Sequence, residues 1–279
     1  MRPYEQLAFQ FSHHILYEDG RVEHHNEYLN TEPGLFPNFD FIRALKKSLE
    51  VNNGSIFRYH NHENTIVNVI YDQLSRSDEA DKQELMEFIE SICKSTDKNA
   101  KKWTGDRNMI DLQKTVVNYY YDPVTGGSNS IKDILPAVLH SSTYLQEKYT
   151  QPLSSLNLSS KNFEPDHVFL KMEEGKPVSP YKALPPVFEN WDSDQLEKIT
   201  ASIPEIADGG AALFAYSKLQ FPDVGKEERT AMNNGLLRYC ELDTLAMVMI
   251  YEYFREMCFG RVKNQETSLP AGAGIKTVD

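Results

Sequence analysis

A layered α/β or α+β fold is what this chain predicts, on three observations. Apolar alternation broken by turn residues marks strands near the N-terminus. Apolar residues at helical spacing fill the last third. Between them, one short strand pattern, Ser55-Ile56-Phe57-Arg58-Tyr59, runs straight into a helix start, a strand-to-helix crossover.

The elements follow in order. Leu7 to Tyr17 reads as a strand, Asp19-Gly20 as a hairpin turn, and Val22 to Leu29 as the returning strand. Phe39 to Leu49 has helical spacing through Phe41, Ala44, Leu45 and Leu49, and Asn52-Asn53-Gly54 stops it. After Ser55–Tyr59 comes His60-Asn61-His62-Glu63, then a helix marked by Ile66, Val67, Ile70 and Leu74. A charged helix is expected over Ala80–Lys94, with that charge read as a solvated face. Met109-Ile110-Asp111-Leu112 opens a further apolar segment. Ser130 to Pro136 reads as a short helix ended by its proline. Residues 150–205 mix Ser, Pro and Asn and read as an insertion lying over the core of a single domain. Helices are expected at about 194–203, 208–221 and 227–257.

Composition bounds the function classes. The 279 residues, 40% hydrophobic and 25% charged, describe an ordinary soluble globular protein. No apolar run reaches the ~18 residues of a membrane span, and no signal-peptide core follows Met1, so a cytoplasmic protein is expected. Cys93, Cys240 and Cys258 fit free thiols in a reducing compartment. A net charge of −12 argues against a broad basic DNA footprint. It leaves a nuclease open, because bound divalent ions reverse the field that a phosphate meets.

The candidate chemistry lies in a few residues. Tyr239 and Asp243, four apart in an apolar helix pattern, share one face. An acid there needs a partner or a metal. Glu63 stands at a helix start after a strand, where a cap or a site both fit, and Asp111 reads first as a helix cap. Gly126-Gly127-Ser128-Asn129-Ser130-Ile131-Lys132 lacks the spacing of a Walker loop. His13-His14 and His24-His25 face each other across the hairpin. Strand alternation lets at most one of each pair cooperate, and no metal site is assigned there. No G-x-S-x-G elbow and no Cys beside a His supports nucleophilic hydrolysis.

Taken together, six segments resemble a known family. They are Arg2 to His14; His62-Glu63-Asn64-Thr65; Ile110-Asp111-Leu112; Gly127 to Ala137; Asp208 to Ala212; and Leu237 to Met247. They resemble the C-terminal DnaQ-like domain, an RNase H-fold domain of the DEDD exonuclease type, of an uncharacterised bacterial family. In that family the domain often follows a Cas4-like PD-(D/E)XK nuclease domain. The resemblance implies a mixed sheet flanked by helices and a 3′–5′ exonuclease acting on a single-stranded end of DNA or RNA. It implies two Mg²⁺ or Mn²⁺ ions roughly 3.5–4 Å apart. Glu63 and Asp243 match metal-binding acids, and Tyr239 the residue that orients or helps deprotonate the attacking water; Asp111 is expected at the metal with them, as a ligand, behind the ligands or positioning substrate. Lys132 and Asn61 are expected to face the substrate.

One departure counts against activity. The family's first Asp-x-Glu motif, on the first central strand, lies just upstream of the segment matching Arg2-Pro3-Tyr4. It is absent here, and neither Glu5 nor Glu18-Asp19 replaces it. The expectation is therefore an incomplete or inactive exonuclease, with a sheet edge open to self-association or a partner. The alternative is an inactive nuclease-like module for nucleic-acid or protein interaction.

Overall fold

The computed structural model describes residues 5–184, 210–221 and 224–260. In chain order the elements are β1 (Gln10–Leu16), β2 (Val22–Leu29), α1 (Asn38–Leu49), β3 (Phe57–Arg58), α2 (His62–Ser75), α3 (Lys82–Ile92), β4 (Ile110–Asp111) and α4 (Leu112–Tyr119). There follow α5 (Ile131–Ser141), α6 (Thr143–Tyr149), β5 (Leu158–Ser159), β6 (Lys171–Glu173), β7 (Lys176–Val178), α7 (Gly210–Leu219) and α8 (Lys226–Phe259). The fold is mixed α/β.

Gly20, at φ +84°, supplies the left-handed backbone that closes the β1–β2 hairpin. The antiparallel register slips once: His13 pairs with Asn26 but His14 pairs with His24, leaving His25 as a bulge. On one face His13 Nδ1 meets Ser48 Oγ of α1 at 2.8 Å. On the other, Ser12 Oγ and His14 Nδ1 meet Thr244 Oγ1 of α8 at 2.9 and 2.7 Å. The hairpin thus lies between α1 and α8, two helices drawn from opposite ends of the chain.

The expected single mixed sheet is divided among the described residues. One sheet has the order β1-β2-β5, with β5 parallel to β2; β3 pairs in parallel with β4; β6 and β7 form a hairpin. The physical reason is length. Strands β3 and β4 are two residues each before the chain enters a turn or helix, and they pair only with each other.

Two main cores carry the fold. One packs α1, α2 and α3 around Ile42, Ile70, Leu74 and Ile89. The other packs α5, α6 and the second half of α8 around Leu135, Leu139, Tyr149 and Met249. A small third cluster joins α7 to the start of α8 through Leu219 and Leu236.

Four expectations need correction. The helix at Ser130 continues through Pro136 to Ser141. An interior proline costs ~3 kcal/mol. Ile134, Leu135, Val138 and Leu139 are all buried, and full burial of such a side chain contributes ~1.5–3 kcal/mol, so packing wins. The Leu7–Tyr17 strand is shorter, Gln10–Leu16, and the Ala80–Lys94 helix spans Lys82–Ile92. The described part of the presumed insertion does not lie over the core: Leu153, Leu158, Phe169 and Leu170 are part of it. The helix expected at 194–203 lies outside the described residues.

Candidate metal and phosphate site

The site is built where β3 and β4 end. Each strand delivers one charged side chain at its last residue, Arg58 and Asp111, and the parallel register sets these two residues side by side. Arg58 Nη1 lies 3.1 Å from Asp111 Oδ2, and both side chains are buried. Asp111 is also the N-cap of α4: its Oδ1 accepts from Lys114 N at 3.4 Å and from His60 N at 3.2 Å. The capping reading of Asp111 is therefore correct, and an ion pair is added to it.

His60 sits between these groups with φ +74°, a left-handed conformation uncommon for a residue with a Cβ. Its carbonyl accepts from Arg58 and its N–H donates to Asp111, so the ion pair holds the strained turn from both sides. This turn starts α2, whose first residues are His62 and Glu63.

Glu63 lies within electrostatic reach of both other acids. Burial pushes its carboxyl up to about 7; its own backbone N–H and Arg58 oppose the rise, and the charges of Asp111 and Asp243 add to it. Glu63 nonetheless presents enough surface to rank as exposed. Water reaching it screens part of that rise.

Asp243 arrives from α8. Tyr181, in a short 3₁₀ turn at Pro180–Ala183, donates its hydroxyl to Asp243 Oδ1 at 2.7 Å. Its ring lies 6.1 Å from that of Tyr239, so Tyr239 and Asp243 do share one face of α8. Lys132 Nζ stands 5.5 Å over the Tyr239 ring. Burial first, then Asp243, drives the Tyr181 phenol far above its ordinary value, and Tyr239 and Tyr59 contribute. Tyr59 donates to Asn129 O at 2.9 Å, and its phenol is raised by burial and by Asp111 and Asp133.

The start of α5 thereby joins the site. Ser130 caps that helix through Lys132 N, and Asp133 accepts from Ser128 Oγ at 2.5 Å. Asn61, at the N-cap of α2, is exposed, with Nδ2 3.3 Å from Thr65 Oγ1. The structure thus gathers Glu63, Asp111, Asp243, Tyr239 and Lys132 in one region, with Asn61 at its rim. Arg58, Tyr59, Asp133 and Tyr181 were missed. Arg58 ends a strand pattern and Tyr181 lies in the Pro-rich stretch read as insertion, and neither carries a local signal.

The donor set consists of hard carboxylate oxygens, which suit Mg²⁺ or Mn²⁺. Among the described residues, the His, Cys, Asp and Glu donors gathered within 4.8 Å of one another are His14, His24 and Glu241. Glu63, Asp111 and Asp243 stand wider than that. A hollow of about 470 Å³ beside Leu16, Tyr17, Glu18, Tyr251 and Arg255 is lined by none of them.

Residues 1–130 match a protein family described as a domain of unknown function, DUF2779. The DUF2779 match covers fewer than half of the 279 residues; it includes Glu63 and Asp111 and stops short of Lys132, Tyr239 and Asp243. No curated protein and no solved structure matches the chain.

Proposed function

We propose that this chain is a DnaQ-like, RNase H-fold domain of exonuclease descent. In this reading its acidic cleft holds Mg²⁺ or Mn²⁺ and receives a nucleic-acid end. The supporting observation is that Glu63 feels both Asp111 and Asp243, although the two come from distant parts of the chain. A cation would relieve the repulsion among these carboxylates.

Glu63 and Asp243 would hold the ion. Asp111, engaged by Arg58 and two backbone N–H groups, positions the His60 turn that carries Glu63. Tyr181 fixes the Asp243 carboxylate, and Tyr239 on the same face orients a water. Lys132 and Asn61 meet substrate phosphate. A bound divalent ion supplies a Lewis acid for the phosphoryl oxygen and a more acidic water. In this reading Glu63 and Asp243 supply two of the four acids that two-metal hydrolysis uses in the family resembled, and the two of the absent Asp-x-Glu motif are missing.

Mn²⁺-dependent digestion of end-labelled single-stranded DNA and RNA tests the reading, with Asp243→Ala as control. It is run on this chain and on a longer version carrying the upstream Asp-x-Glu segment. Shortening from the 3′ end that disappears in Asp243→Ala supports the exonuclease. The occupied state of Asp111 and the net charge of −12 favour a second reading, an inactive interaction module. Oligonucleotide binding without cleavage by either version would select it.

A further inference from the structure

The hairpin histidines and α8 build a second polar centre that the acidic cleft does not use. His14 and His24 stack with ring centroids 4.8 Å apart, inclined by 14°. The bulge at His25 is what sets them opposite each other. Glu241, with no exposed surface, reaches them from α8, its Oε2 2.9 Å from His24 Nδ1. Glu241 and Asp243 are two residues apart, about 200° round the helix axis. The two centres therefore lie on opposite sides of α8.

His14 and Glu241 each have one atom held and one buried without a hydrogen bond, and His24 has one nitrogen held and the other against Glu241. His14 Nδ1 is held by Thr244 Oγ1 at 2.7 Å, and its Nε2 is buried without a hydrogen bond. His24 Nε2 is held by Ser12 Oγ at 3.0 Å. Its Nδ1 is buried and makes a close but misaligned contact with Glu241. Glu241 Oε2 accepts from Asn162 N and Nδ2 at 3.1 and 2.9 Å, and its Oε1 is buried with no partner. Buried polar atoms without partners are rare in folded proteins, and an ion is one of the few things that explains them. A ring nitrogen of His14, a ring nitrogen of His24 and a carboxylate oxygen of Glu241 lie within 4.8 Å of one another, close enough for one ion to serve all three.

We infer that His14, His24 and Glu241 form a binding site for a borderline divalent transition ion of the Zn²⁺ class. Two imidazoles and a carboxylate are a ligand set for such ions. The outer hydrogen bonds match what metal-binding histidines need: the second ring nitrogen is held, which fixes tautomer and orientation. The near-parallel rings require one imidazole to tilt before both lone pairs meet the ion. The ion would pin the hairpin to α8, so the site is structural, and it stands whether or not the cleft is a nuclease centre.

The test uses the full chain, stripped with a chelator and titrated with Zn²⁺ against a chromophoric competitor. The expected result is one tight site, weakened about 100-fold or more in His24→Ala and Glu241→Gln. Thr244→Val, which keeps all three ligands, should weaken it ~10-fold. Glu63→Gln and Asp243→Asn should leave it unchanged, which separates this centre from the acidic cleft. Should His24→Ala fail to fold, X-ray absorption of the Zn²⁺-loaded wild type replaces it and should show two imidazoles around the metal. Absence of stoichiometric binding, affinity indifferent to Glu241→Gln and Thr244→Val, or a metal shell without imidazole would overturn the inference.

Discussion

Replacing Arg58 by Leu removes the cation paired with Asp111 across the β3–β4 ends. The guanidinium and carboxylate are in contact, Nη1 to Oδ2 at 3.1 Å, with both side chains buried. With the guanidinium charge spread over its plane, an effective separation of about 4 Å gives ~4 kcal/mol of attraction at an effective dielectric of ~20. Desolvation offsets much of that in the intact pair, but a lone buried carboxylate keeps the desolvation and loses the attraction. Breaking a buried pair from one side costs ~3–5 kcal/mol. Asp111 keeps two backbone donors, His60 N and Lys114 N, which places the expected loss near the lower bound, about 3 kcal/mol. Urea unfolding of Arg58→Leu measures it. Adding Asp111→Asn should restore at least ~1 kcal/mol, because the stranded charge is then gone. A loss under about 1 kcal/mol, or no recovery in the double variant, would refute the claim that this pair holds the floor of the site.

Three further outcomes are expected. His60→Gly relieves the left-handed strain at φ +74° and should leave stability unchanged or raised by up to ~1 kcal/mol, while His60→Val should lower it by at least that much; thermal melts decide. A Cβ at Gly105 would stand 2.2 Å from Ser91 O and 2.4 Å from Glu90 O, backbone atoms of α3, so Gly105→Ala should cost ~1–3 kcal/mol or more; a change below half of that would show that the loop yields. Burial, then His25 and His24, lowers His13 to about 4 from 6.5. Its stabilising effect is therefore complete above pH 6.5 and is lost as pH falls towards 4. That lowering sets an upper bound of ~3 kcal/mol on the stability lost. His13→Asn should flatten the urea midpoint against pH over that range, and an unchanged slope would assign the acid sensitivity elsewhere.

What could be read from the sequence is what short-range patterning dictates. Gly20 needs a turn, Phe41, Leu45 and Leu49 need a helix face, and Tyr239 and Asp243 share a turn of any helix. The proline at 136 misled because burial of Leu135 and Leu139 is a tertiary matter that local rules do not contain. The His14–His24 pair was hidden for a related reason. Strict alternation describes a regular ladder, and one bulged residue changes which histidine faces which. The electrostatic link between Glu63 and Asp243 is not legible in periodicity, which ties no helix start to a residue so far along the chain. Tyr181 lay beyond both routes: it sits among prolines in a stretch without regular spacing, and only its hydroxyl on Asp243 reveals a role.

The most direct test of the account is Mn²⁺ binding to the full chain, followed by paramagnetic resonance or calorimetry in wild type, Glu63→Gln and Asp243→Asn. The account predicts that each substitution weakens Mn²⁺ by at least tenfold, about 1.4 kcal/mol, while His24→Ala leaves it unchanged. Equal Mn²⁺ affinity in wild type and either acid variant would contradict a shared cation site at Glu63 and Asp243.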